Sequence, residues 1–131
     1  MTTPVRVRPP NRRPNKRPKK TVSMGRYDIA FGFYPDSGKI CEVFADSPHR
    51  GTEFSHIITD VSTVISIALQ YGVPVSELAG AVGRVPAFML GKEVEVAASP
   101  VGEILDMVEA APDWWANEDT DYCAECHLDG V

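Results

Sequence analysis

The sequence predicts an α+β fold: a small domain with an N-terminal β-hairpin packed against about three helices, with disordered tails. Three observations predict it. Aromatic and β-branched residues alternate from Tyr27 to Tyr34 and again from Ile40 to Ala45, around a turn that carries proline and glycine. From Phe54 to Leu69, apolar residues recur at spacings of three and four, the period of one helical face. A further amphipathic run opens at Ser99-Pro100. The 131 residues fit one domain. The divisions expected are a basic Pro-rich arm over 1–24, the α+β domain over 25–112 and an acidic Cys-containing tail over 113–131.

In the hairpin, Tyr27, Ile29, Phe31 and Phe33 share one side and are expected to face the helices. Pro35-Asp36-Ser37-Gly38 supplies the turn chemistry. Cys41, in the second strand, reads as a small buried apolar residue. Ser47-Pro48-His49-Arg50-Gly51 is a loop into the long helix. That helix presents Phe54, Ile57, Ile58, Val61, Val64, Ile65, Ala68 and Leu69 as an apolar stripe. Ser62, Thr63 and Ser66 fall on its polar side, with no base beside them to make a nucleophile. Gly72 can take the left-handed conformation that ends a helix, and Pro74 suits the first turn of the next. Leu78, Ala81 and Val82 give that second helix a short apolar face. Glu93 to Ala97 alternates weakly and reads as a strand or an extended segment. Ser99 is then an N-cap, with Pro100 at the first helical position. Ile104, Leu105 and Val108 form the buried face of this last helix, and Pro112 ends it.

Charge is segregated along the chain. Nine of the thirteen Lys and Arg residues lie at or before Arg26, and all eighteen acids lie after it. The first 26 residues are formally +9 and the remainder −14, which the net −5 conceals. Pro4, Pro9, Pro10, Pro14 and Pro18 are interspersed with the cations, so almost nothing in residues 1–20 is suited to a core. Such an arm can contact nucleic acid or another polyanion nonspecifically. It can equally be a solvated linker, or fold back on the acidic body. Aromatics that would stack on bases are absent from it.

Composition sets limits. No apolar run approaches the roughly 20 residues needed to span a membrane, so no membrane partner is expected. The N-terminus lacks the apolar segment of a secretory signal. Three cysteines, an odd number, argue against a disulfide scaffold and fit a reducing, cytoplasmic setting. His49 and His56 have no Cys or second His at ligand spacing, and neither a metal nor a cofactor is expected.

In the tail, an acidic stretch leads to Cys123-Ala124-Glu125-Cys126-His127. This pair has four readings. It is a dithiol that exchanges with another disulfide, one thiol attacking and the other resolving. It is half of a zinc site that a second chain completes, because a structural zinc takes four ligands. It is the literal C-x-x-C-H string of c-type haem attachment. Or its cysteines are incidental. The surrounding acids raise thiol pKa values, which disfavours a fast nucleophile. Trp114 and Trp115 cannot both face one way on regular structure. One is expected to pack on the body and the other to be exposed for a partner, unless core packing accounts for both.

The wording from Ile65 to Leu78, ISIALQYGVPVSEL, adds to this. It resembles the TSCPD domain family, the C-terminal domain of adenosylcobalamin-dependent (class II) ribonucleotide reductases. Phe33-Tyr34-Pro35-Asp36-Ser37-Gly38-Lys39 with Glu42-Val43-Phe44 is similar to that family's hairpin. Arg12-Arg13-Pro14 through Lys20 is similar to its basic linker, and Ser99 to Val108 to its closing helix. The likeness runs from about Arg12 to Val108. The string Thr-Ser-Cys-Pro-Asp itself is absent, as are the barrel, nucleotide sites and cobalamin site of a complete reductase.

The resemblance implies a stand-alone relative of the domain, with an accessory or thiol-relay role in ribonucleotide reduction and deoxynucleotide supply for DNA synthesis. Cys123 and Cys126 would be the relay. A ribonucleotide reductase or a thioredoxin-like reductant would be the partner. Whether the chain is itself an enzyme stays open. The alternative is a small binding or regulatory module without catalysis, whose basic arm contacts nucleic acid.

Overall fold

The structure, a computed structural model, describes residues 4–17 and 27–111. Eight elements follow one another: β1 (Asn15–Lys16), β2 (Asp28–Phe33), β3 (Ile40–Asp46), α1 (Glu53–Gln70), α2 (Val75–Ala81), β4 (Arg84–Met89), β5 (Lys92–Ala97) and α3 (Pro100–Ala110). They make two antiparallel sheets, β1-β2-β3 and β4-β5, with three helices among the described residues. The predicted α+β class and its hairpin against helices are therefore observed.

The β2–β3 hairpin forms where the alternation places it. Phe31 pairs with Val43 and Ile29 with Ala45, and these four face the core. Phe33 and Cys41 are also fully buried. The connection closes with Tyr34 N–H donating to the Lys39 carbonyl at 2.9 Å, and Gly38 takes a φ of 71°. Tyr27, just before β2, sets its ring 6.3 Å from that of Phe54 and donates its hydroxyl to Glu103 of α3. The core thus ties the hairpin to both α1 and α3.

α1 starts on Thr52, whose hydroxyl accepts from Ser55 N–H at 3.1 Å. It ends in a Schellman motif. Val73 N–H reaches the Ala68 carbonyl at 3.1 Å, and Gly72 N–H reaches that of Leu69 at 3.0 Å. Gly72 has a φ of 84°, the left-handed conformation that its position predicts. Pro74 caps α2 rather than occupying its first turn, one residue earlier than expected. Ser99 caps α3 with Pro100 at its start, and Ile104, Leu105 and Val108 are buried as predicted.

The buried face of α1 differs from the expected stripe. Ser55, Ile58, Ser62, Ile65, Ser66 and Gln70 are buried, whereas Ile57 and Val64 are exposed. The reason is the sheet edge. β3 has no strand on its far side, so part of its backbone needs partners from elsewhere. Ser66 Oγ accepts from Val43 N–H at 2.9 Å, and Gln70 Nε2 donates to the Cys41 carbonyl at 3.1 Å. The hydroxyl proton of Ser66 lies between the Val43 carbonyl at 3.0 Å and the Ser62 carbonyl at 2.8 Å. Polar residues on α1 stand in for a fourth strand, and small serines let the helix come close enough to do so.

The arm is also revised. The expectation of a disordered segment fails for residues 4–17, which fold back on the body. Asn15 and Lys16 pair with Gly32 and Phe31 as β1. The Pro14 carbonyl accepts from Phe33 N–H at 2.9 Å, and Val7 N–H donates to the Gln70 carbonyl at 2.9 Å. Pro14 is fully buried and Lys16 nearly so. Burial pulls the Lys16 amine below its ordinary value. Local composition describes what a segment lacks for a core of its own, and a neighbouring sheet edge supplies what it needs.

The region after Val82 is a second hairpin, of which only the returning strand was expected. Its register runs from Arg84 opposite Ala97 to Met89 opposite Lys92. Leu90 (φ 54°) and Gly91 (φ 77°) make the two-residue turn, both left-handed. Pro86 is tolerated because each strand of a two-stranded sheet is an edge. At the hairpin's base, Arg84 holds Asp106 of α3 through two hydrogen bonds of 2.7 and 2.5 Å.

Candidate functional site

Cys123, Cys126, His127, Trp114 and Trp115 lie outside the described residues, so the predicted dithiol has no geometry to report. Cys41, in β3, is fully buried. Burial, and secondarily the Glu42 carboxylate, push its thiol up to about 12. It is therefore a protonated, inaccessible thiol, unfit for exchange. His49 and His56 are both exposed. Among the described residues, no group of three or more His, Cys, Asp or Glu side chains comes together as a metal site would require. Ser66 is occupied by the backbone of β3 and is no nucleophile.

Two surfaces are built instead. The first lies on the outer face of the β1-β2-β3 sheet. Alternation turns Ala30, Gly32, Glu42 and Phe44 away from the core. The folded-back arm then borders them, giving an open groove of about 420 Å³ lined by Asn11, Arg12, Arg13, Asn15, Arg17, Ala30, Glu42 and Phe44. Glu42 is 6% exposed and lies over Gly32, where a Cβ would fall 2.5 Å from its Cγ. The glycine makes room for the carboxylate, and the carboxylate takes the Arg13 guanidinium from Nε and, at 2.9 Å, from Nη2. That hydrogen bond raises the Arg13 pKa above its already high value. Phe44 is 52% exposed in mid-strand, opposite Ala30. The basic arm itself holds no aromatic, and Phe44 comes beside its arginines only through the fold. The alternation of β3 held the signal, because it sets Phe44 on the face opposite Val43.

The second surface is the tip of the β4–β5 hairpin. Phe88, Met89 and Leu90 are exposed, Phe88 at 78%. Val85, Ala87 and Met89 share one face with Val94 and Val96, so that face is almost wholly apolar. On α1, Ile57, Val64 and Tyr71 form an exposed row at heptad spacing. No helix among the described residues is long and apolar enough to cross a membrane.

The fold and these surfaces define a small α+β domain, whose three-stranded sheet is flanked by an arm and a polar helix face. A family model for the TSCPD domain matches residues 3–107. The chain belongs to the TSCPD domain family. The match begins at residue 3, so it takes in the arm that packs on the sheet. A relative described as a vitamin B12-dependent ribonucleotide reductase, from Agrobacterium fabrum (strain C58 / ATCC 33970), is 37% identical over 68 residues. That stretch is 52% of this chain and 5% of the relative. The domain is thus ribonucleotide-reductase-related, and it corresponds to a small part of that protein. No solved structure matches.

Proposed function

We propose that this chain serves ribonucleotide reduction as an accessory domain that docks on a reductase and carries reducing equivalents through Cys123 and Cys126. The observation that carries this reading is the family match over residues 3–107, together with the reductase relative. Two features support it. The buried Cys41 cannot take part in exchange, which leaves Cys123-Ala124-Glu125-Cys126 as the chain's dithiol. The exposed apolar hairpin tip and the α1 row give the domain surfaces on which a larger protein can seat.

The chemistry is a thiol–disulfide exchange. One thiolate attacks the partner's disulfide and forms a mixed disulfide. The second thiol then displaces the partner as a dithiol and closes the Cys123–Cys126 disulfide. A thioredoxin-class dithiol supplies the two electrons that reopen it. A working pair has a potential of roughly −180 to −270 mV, the range of exchangeable disulfides.

The test is turnover of a class II reductase from the same source, with and without this chain and its Cys123→Ser/Cys126→Ser variant. The parent is expected to support turnover and the variant to lose that support while keeping its fold. Equal support by both would sink the relay and leave docking alone. A fixed ratio of zinc to purified chain would assign the two cysteines to a metal instead.

A further inference from the structure

We propose that the groove on the outer face of the β1-β2-β3 sheet binds a nucleotide unit, its base stacked on Phe44 and its phosphate against Arg17.

The argument starts from the anomaly of Phe44. Apart from the arm, no element among the described residues covers this face, and a large aromatic ring stands half-exposed in the middle of β3. Across the strand pair it faces Ala30, and one pair further on Gly32 has no side chain at all. Glu42 with its Arg13 partner fills the space over Gly32, and the small Ala30 leaves the ring of Phe44 accessible beside that pair. An aromatic on an open sheet face, flanked by cations, is how small sheet domains hold the bases of single strands.

The arm supplies the cation. By folding back, it brings the exposed Arg17 to the border of the same groove, with Asn11 and Asn15 as further polar groups. Arg13 lies in the groove too, but its charge is committed to Glu42. It sets the position of the arm rather than that of a ligand. The remaining acids of this face lie at the other end of the pair, where Asp28 is opposite Asp46, and Asp46 engages Arg50 at 3.1 Å. The face is thus polarised, with phosphate-seeking groups at the arm and carboxylates at the far end. The volume, about 420 Å³, suits one nucleotide rather than a macromolecular groove.

The same chemistry is offered by a free nucleotide and by one residue of a single strand, and the experiment separates them. The full chain is titrated into a fluorescein-labelled oligothymidylate of about ten nucleotides at about 50 mM salt, and ATP is then added as competitor. Binding is expected. Phe44→Ala should weaken it at least about fivefold, at the low end of base–aromatic stacking, whereas Phe44→Trp should retain it. Arg17→Ala should reduce the salt dependence by about one phosphate contact. Displacement by ATP identifies the free nucleotide as sufficient, and resistance to ATP identifies the strand. Absence of binding to either probe overturns the proposal. So does binding that Phe44→Ala leaves unchanged, since the arm's charge alone would then account for it. The proposal goes beyond the reductase role and does not depend on it. The Cys123→Ser/Cys126→Ser variant should bind as the parent does, so a failed relay and a failed groove are separately visible.

Discussion

At the scale of single residues, the most instructive side chain is Ser66. Its hydroxyl stands where a neighbouring strand would be, between the N–H and carbonyl of Val43. Ser66→Ala removes the partner and leaves buried backbone groups unpaired. A loss of about 1–3 kcal/mol is expected, with faster hydrogen exchange at the Val43 amide. An unchanged melting temperature would mean that water replaces the serine at no cost. Cys41 offers a chemical test of the same core. With its thiol held near 12 by burial, it should resist iodoacetamide in the folded Cys123→Ser/Cys126→Ser variant at pH 8 and react only after unfolding. Rapid labelling under native conditions would place the β3 edge in an open state. The burial of Cys41 was legible in the sequence, and the role of Ser66 was not. Serines on a helix are ordinarily outward-facing, and only the missing fourth strand makes them inward-facing here.

At the scale of elements, local signals were legible and non-local ones were not. The β2–β3 hairpin, the Gly72 stop and the Ser99-Pro100 start each rest on residues within a few positions of one another, so periodicity and capping chemistry reveal them. The β1 pairing rests on Arg13 meeting Glu42 across 29 positions, which no local window contains. β4 was hidden by Pro86 and by a turn that lacks the usual Asn-Gly. Of the groove, the cations were visible in the sequence as a charged run, but their meeting with Phe44 required the fold. The β4–β5 turn itself can be tested. Leu90 sits at a φ of 54° with its side chain fully in solvent, a conformation that costs a non-glycine residue about 1–2 kcal/mol. Leu90→Asn should relieve part of this and raise stability by about 0.5–1 kcal/mol. If stability falls instead, Leu90 is packing against something in solution, which would support the tip as a docking surface.

The base of that hairpin should respond to acid. Hydrogen bonding from Arg84 holds the Asp106 carboxyl below its ordinary value of 3.8. A depressed folded value means that the contact contributes fully above the unfolded pKa and fades as the pH falls through the folded one. Hydrogen exchange at β4 and β5 should therefore accelerate below about pH 4 in the parent. In Asp106→Asn it should already be faster at neutral pH and show less dependence on acid. The same profile in both proteins would mean that the hairpin is held by other contacts, such as the approach of Gly102 to Ala97.

At the scale of the whole molecule, the segregation of charge turns out to be an assembly instruction. A +9 segment beside a −14 remainder tends to fold onto it, and the structure gives that tendency a register through β1, the Pro14–Phe33 hydrogen bond and the Arg13–Glu42 pair. The arm of residues 4–17 should then be part of the folding unit. Deleting residues 1–17 removes the Val7–Gln70 and Pro14–Phe33 backbone hydrogen bonds, the β1–β2 pairing and the buried Pro14, and it takes the guanidinium from the Glu42 carboxylate. At about 1 kcal/mol per hydrogen bond and more for an orphaned charge, the loss is on the order of 3 kcal/mol. For a domain of this size that lowers the melting temperature by about 10 °C or more. Arg13→Ala alone should reproduce a substantial part of it, and Arg13→Ala/Glu42→Gln should recover some of the loss, because the double change removes the stranded charge. An arm that could be deleted without effect would show that its contacts are too weak to hold it, and the groove would lose one wall. The deletion also explains why the groove must be probed by point changes at Phe44 and Arg17. Removing the arm would destroy the site and weaken the fold together, and the two effects could not be told apart.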